Sequence, residues 1–223
     1  MTLPDYTSLP ASDYGFLAAE VLVVHVSQNN SGLSVANYCV SNPSSYRWHW
    51  TIGQDGQAWK HLEFGRRGAH DAGINDISVG IEHAGFCEPS TQPLTVFKNN
   101  PAQLTSSAMV CAEFAKAIGK VPSRDWIIGH SEDSKYGGTS THQDPGSKWP
   151  WDDYMKLVTQ FYEEDDMALT GNEYNALAFL YGQQRRAKGN PVPTKYVAGD
   201  GADRLDAAVA GWSDKDAEIA ARP

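Results

Sequence analysis

The run Glu20–Ser27, EVLVVHVS, decides how the rest of the chain is read. Its apolar residues follow one another without the alternation of a half-exposed strand. That pattern predicts a strand of ordinary length buried on both faces, as in a parallel sheet covered by helices. One residue interrupts it. His25 places a polar ring in the middle of the run, which costs free energy unless its nitrogens are satisfied. By itself, His25 reads more readily as a hydrogen-bonded core histidine than as a ligand.

Working outward, Ser31–Asn42 (SGLSVANYCVSN) has helical spacing and is bounded by Pro43. Tyr46–Phe64 (YRWHWTIGQDGQAWKHLEF) reads as a hairpin, because aromatic and β-branched residues flank the turn pair Asp55-Gly56. Asp76–Gly85 (DISVGIEHAG) predicts another short strand. Asn100–Lys120 is the clearest helix, with Pro101 near its start, Gly119 after its end, and Leu104, Ala108, Cys111, Ala115 and Ile118 on one stripe. Asp125–His130 (DWIIGH) predicts a second buried strand, and Trp149–Glu164 a closing helix. This mixed order predicts an α/β fold, a central mixed β-sheet flanked by α-helices, over residues 1–164. Residues 165–223 are expected to form a helical extension or linker. They hold a capping box from Thr170 to Glu173 and a linker-like stretch, Asn190–Asp203.

Composition narrows the function. A net charge of −9 argues against nucleic acid as the main partner, since phosphate binding needs clustered Lys and Arg. No apolar run reaches the roughly 18 residues of a membrane span. The first residues lack the basic and apolar regions of a secretory signal, so none is expected. Cys39, Cys87 and Cys111 are odd in number and widely spaced, which favours buried thiols over a disulfide framework.

The stretch Gly129–Gly146, GHSEDSKYGGTSTHQDPG, concentrates reactive groups directly after a predicted strand. It is either a polar surface loop or one wall of an active site. His142 and Asp144 lie two apart, so in an extended segment both point the same way. His25, His130 and a carboxylate would leave the fourth position of a tetrahedral zinc open, the pattern of a catalytic site. Glu132 and Asp133 compete with Asp144 for that role; Asp144 is preferred because Pro145-Gly146 stiffens and turns the chain there. Spacing alone does not establish a zinc hydrolase.

Taken together, VVHVS, SYRWHWTIGQDGQAW, GAHDAGINDISVGIEHAG and IIGHSE…THQDPG…WPW stand in the order and spacing found in zinc-dependent N-acetylmuramoyl-L-alanine amidases. Over Val21–Tyr162 the chain resembles that family, which includes many bacteriophage endolysins and the animal peptidoglycan-recognition proteins. The resemblance implies that His25, His130 and Asp144 bind one Zn²⁺. The implied reaction is hydrolysis of the amide between N-acetylmuramic acid and L-alanine of the stem peptide of bacterial peptidoglycan. Glu82 matches the glutamate that orients or deprotonates the attacking water, a role suited to a carboxylate whose pKa burial raises. His142 stands where relatives often carry lysine, and is expected to stabilise the oxyanion or protonate the leaving amine. Trp48 replaces a common tyrosine and is expected to line the cleft. His70 and Asn75 match positions near the substrate groove, although Asn75 also suits a loop-fixing role. His49 is expected to hold the sheet, and His61 and His83 to be surface or outer-sphere residues.

The same resemblance implies a phage enzyme, monomeric and made in the host cytoplasm before it acts on the cell wall. Two other readings are a peptidoglycan-binding module without activity and an endopeptidase cutting within the stem peptide. The filled ligand set argues against the first.

Overall fold

The computed structural model describes residues 3–42 and 46–164. The chain divides into two units, Met1–Asp166 and Met167–Pro223, and the described residues all belong to the first. The expectations for the capping box at Thr170 and for the linker-like segment lie outside the described residues.

Six strands form one mixed sheet: β1 (Tyr6–Ser8), β2 (Val21–Val26), β3 (Trp50–Ile52), β4 (Ala58–Lys60), β5 (Ser78–His83) and β6 (Ile127–Gly129). Their spatial order is β1-β4-β3-β5-β2-β6. All neighbours are parallel except the β3–β4 hairpin. Gly56 closes that hairpin at φ +83°, a conformation L side chains rarely adopt, as expected of the Asp55-Gly56 turn. The EVLVVHVS run becomes β2, hydrogen-bonded to β5 on one side and β6 on the other, with all six residues buried. The expected α/β architecture is thus the one observed.

Among the described residues, three α-helices accompany the sheet: α1 (Gly32–Ser41), α2 (Pro101–Ala117) and α3 (Trp151–Glu163). Ser31 caps α1 by accepting the Ser34 amide, and Pro101 sits in the first turn of α2. The period of two along each strand separates two faces. Leu22, Val24, Val26, Trp50, Ile52, Val79, Ile81 and Ile127 point to one face and share a core with Leu104, Ala108, Cys111 and Ala115 of α2 and Tyr154 and Val158 of α3. Burying each large aliphatic side chain there contributes about 1.5–3 kcal/mol. The opposite face carries Val21, Val23 and Ile128, covered by Ile74 and Ile77.

On that second face one row crosses the sheet. Trp59 pairs with Thr51, Thr51 with Glu82, and Glu82 with His25. Gly129 pairs with Val24, so the chain leaving β6 brings His130 beside His25. These polar residues gather at the carboxyl ends of parallel strands, where open α/β sheets place their ligands. β1 was not expected from sequence: three exposed residues carry no periodic signal, and only pairing with β4 makes them a strand.

Candidate metal centre

His25, His130 and Asp144 each turn one ligand atom toward a common point, and all three are buried. His25 Nδ1 lies 3.1 Å from His130 Nδ1 and 3.4 Å from Asp144 Oδ2, and His130 Nδ1 lies 3.1 Å from Asp144 Oδ1. Zinc bonds of about 2.0–2.2 Å at tetrahedral angles require ligand atoms roughly 3.3–3.6 Å apart. Two of the three separations, at 3.1 Å, fall slightly short of that range and the third lies within it, and two imidazoles with a carboxylate are a donor set that suits such an ion and leaves a fourth position open. His130 Nδ1 faces both the His25 nitrogen and the carboxylate.

The His25 tautomer can be traced from its surroundings. His70 Nε2 lies 3.1 Å from the Ser78 carbonyl, which only accepts, so that nitrogen carries the hydrogen. Burial, with His25 and His49 nearby, pulls the His70 pKa well down and keeps the ring neutral. Its Nδ1 therefore accepts from His25 Nε2–H at 3.0 Å, and His25 Nδ1 is left as a lone pair facing the cluster. Burial, followed by His130, lowers the His25 pKa as well.

His130 behaves differently. Burial pulls it down, but Asp144 and Asp71 outweigh that and raise it to about 10. For Asp144, burial pushes upward and the two imidazoles win, holding its carboxyl well below the usual range. The cluster thus favours a positive charge at its centre. Asp144 Oδ2 also accepts the Val26 amide at 3.2 Å, and the Ser131 amide donates to the Asp144 carbonyl at 2.9 Å. The second bond folds Gly129–Gly146 back on itself, and the first ties it to β2.

Neither competing acid approaches both histidines, although Asp133 approaches His130 together with Asp71. Glu132 accepts the Gly129 amide at 2.9 Å and pairs with Arg124 and Lys135; Asp133 Oδ2 accepts the Ser140 amide at 2.8 Å. Glu82 occupies the register position beside His25, and burial, then the charge of Asp144, raises its pKa to about 8. His142 is exposed, stacks on the His130 ring with centroids 4.6 Å apart, and sets Nδ1 3.6 Å from Asp144 Oδ1.

Trp48 does not open onto a cleft as expected. It is 5% exposed, packs with Val35 and Cys39, and donates its indole N–H to Thr51 Oγ1 at 2.7 Å. Thr51 in turn meets His61 Nε2 at 2.9 Å, and His61 Nδ1 donates to the Leu9 carbonyl. An indole with its only donor used inside the core has no reason to turn outward. His70 lies behind His25, with its ring filling the space over Gly80, where a Cβ would come within 2.7 Å of it. Asn75 Oδ1 accepts the amides of His70 and Asp71 at 2.7 and 2.9 Å, the loop-fixing geometry.

His49 donates to the Arg66 carbonyl and accepts the Gly80 amide, which ties β5 to its surroundings. His61 and His83 are buried rather than exposed. His83 donates to the His25 carbonyl at 2.9 Å and meets Ser107 Oγ at 2.7 Å, and Ser107 reaches the Tyr154 hydroxyl at 2.9 Å. Asp71 and Gly80 were not singled out from sequence, since their partners lie in other segments. The three cysteines are free and buried, as expected.

A family model described as N-acetylmuramoyl-L-alanine amidase matches residues 16–147. Among solved structures, the chain is similar to the Staphylococcus aureus hydrolase AmiA, with a TM-score of 0.58 and 19% identity over 74% of this chain and 86% of that one. It is similar to a selenomethionine derivative of AmpD, with a TM-score of 0.56 and 20% identity over 71% of this chain and 97% of that one. The catalytic domain of XlyA gives a TM-score of 0.51 and 17% identity over 70% and 99%. At these identities the likeness is one of fold. No curated protein sequence matches the chain.

Proposed function

The chain belongs to the N-acetylmuramoyl-L-alanine amidase family, and from that premise we propose that it cleaves peptidoglycan at a zinc centre held by His25, His130 and Asp144. The bond broken is the amide between the lactyl group of N-acetylmuramic acid and L-alanine. The observation that carries this reading is the convergence of three ligand atoms at 3.1–3.4 Å beside a buried carboxylate. A bound Zn²⁺ supplies Lewis acidity, polarising the carbonyl and lowering the pKa of water to about 7.

The chain's own groups supply the remainder. Glu82, kept basic by burial, orients the attacking water, takes a proton on its carboxylate and returns it to the leaving amine. The exposed His142 imidazole offers an N–H to the developing oxyanion. Asn75 fixes the loop behind the site through the His70 and Asp71 amides. In this reading Trp48 acts from beneath the site by anchoring Thr51, the register neighbour of Glu82.

The wider proposal is a phage lysis enzyme with antibacterial action, working as a monomer on the cell wall after synthesis in a host cytoplasm. Residues 1–164 would form the catalytic domain and 165–223 an extension. No helix among the described residues is long and apolar enough to cross a membrane. Mass spectrometry of digested peptidoglycan tests the reaction. A new N-terminal L-alanine with free lactyl groups is expected, released by the metal-loaded enzyme and not after chelation. Intact muramoyl-alanine with a cut inside the stem peptide would replace this reading with an endopeptidase, and binding without release would replace it with a recognition module.

A further inference from the structure

The two imidazoles of the metal cluster are backed by consecutive residues of one loop. His70 Nδ1 receives His25 Nε2–H at 3.0 Å, and Asp71 Oδ1 lies 3.6 Å from His130 Nε2. We infer that His70 and Asp71 are a paired positioning element, each holding one histidine ligand in the tautomer and orientation that turns its Nδ1 to the metal. This rests on the reading of His25, His130 and Asp144 as metal ligands.

Several observations support the pair. Asp71 is 2% exposed, and both its carboxylate oxygens lack a hydrogen-bond partner. A buried carboxylate in that state is costly unless a group of opposite polarity stands close, and the His130 imidazole is the group that faces it. His70 is locked at both ends, by His25 and by the Ser78 carbonyl, and Gly80 leaves the room its ring needs.

The loop itself is built to hold this register. Asn75 Oδ1 collects both consecutive amides, and the Thr139 amide donates to the Ala72 carbonyl at 2.9 Å. The glycine-rich middle of the Gly129–Gly146 stretch therefore clamps the loop that orients the ligands at its two ends. Partners of this kind fix the ring and raise ligand basicity, and losing one typically weakens metal binding about 10–100-fold.

Asp71, His130 and Asp133 also approach closely enough to suggest a second cation site. The paired-positioning reading is favoured because Asp133 already accepts the Ser140 amide and because a neutral His130 bound through Nδ1 keeps its proton on Nε2.

The test is zinc affinity of the full chain, measured by competition with a chromophoric chelator, together with the melting temperature of the metal-free protein. The parent is expected to take up one Zn²⁺ per chain. Asp71→Asn, which keeps the shape and removes the charge, is expected to bind zinc about 10–100-fold more weakly with an unchanged metal-free melting temperature. His70→Leu should weaken binding similarly. His70→Gln, whose amide both accepts and donates, should recover part of the loss. The visible spectrum of the Co²⁺-loaded protein should shift in Asp71→Asn, reporting altered ligand orientation.

Zinc affinity and cobalt spectrum equal to the parent's in Asp71→Asn and His70→Leu, whether or not the metal-free melting temperature falls, would overturn the inference and leave these residues structural. Two zinc ions per parent chain, one of them lost in Asp71→Asn, would overturn it in favour of a second cation site. If the parent and His25→Ala both failed to bind zinc, the metal-centre reading itself would fall, a result distinct from the other two.

Discussion

The resemblance to the amidases led to the expectation that His142 replaces a lysine, and its imidazole stacks on the ring of His130. Stacking fixes the plane of the ring, so a short side chain can present an N–H in one place. His142→Ala is expected to lower kcat on purified peptidoglycan about 10²–10³-fold, the range for removing one oxyanion donor, while bound zinc is unchanged by metal analysis. His142→Lys should recover most of that loss. Glu82→Gln should cost about 10²–10⁴-fold in kcat, the range of general acid–base catalysis, again with zinc retained. At this scale the ligand set came from the family resemblance, because His25 by itself reads more readily as a hydrogen-bonded core histidine and spacing alone does not establish a zinc site. The inward turn of Trp48 was not legible. Its direction depends on Thr51 and His61, and nothing in the local sequence says which way an aromatic beside a strand will face.

Elements carry the site because of register. His25 and Glu82 face the same way since β2 and β5 are parallel and these two residues are direct partners. A slip of one residue would send either side chain to the α2–α3 face. Gly80→Ala is expected to push the His70 ring away from His25 and weaken zinc binding several-fold, measured by the same chelator competition, because the new Cβ would lie 2.7 Å from that ring. On the other face, Tyr154 on α3 is joined through Ser107 of α2 and His83 of β5 to the His25 carbonyl. Tyr154→Phe should cost about 1–3 kcal/mol in denaturant unfolding, the range for a buried polar group losing its partner. The α-helices were legible from caps and periodicity, and β2 from its continuous apolar run. The polar chain joining α2, α3 and β5 was not, because each of its bonds spans separate elements.

For the described unit as a whole, buried histidines set the response to acid. Burial lowers His49 and His61 to about 4 and His83 to about 3. Their folded pKa values lie below the unfolded value near 6.5, so the stability they contribute is present above that pH and lost as pH falls toward 4. Each adds a slope of roughly 1.4 kcal/mol per pH unit in that window. In the metal-free protein His130, raised to about 10, and Glu82, raised to about 8, act in the opposite sense, and stability falls as pH rises through their range. Denaturant midpoints of the metal-free protein are therefore expected to peak near pH 6.5 and decline on both sides. Saturating zinc should raise the melting temperature by an amount that grows with the logarithm of its concentration over Kd, and chelation should reverse the rise.

By itself the sequence determined the kinds of element, the central strand and the residues chemically able to hold a metal, because those depend on local periodicity and side-chain type. Only the tertiary structure decided which of three carboxylates joins the two histidines. Glu132 is held by the Gly129 amide and Asp133 by the Ser140 amide; Asp133 approaches His130 together with Asp71, and of the three acids Asp144 is the one that approaches both His25 and His130. The approach of His70 to His25 and of Asp71 to His130 likewise came only with folding, because the groups that surround a ligand ring are distant in the chain.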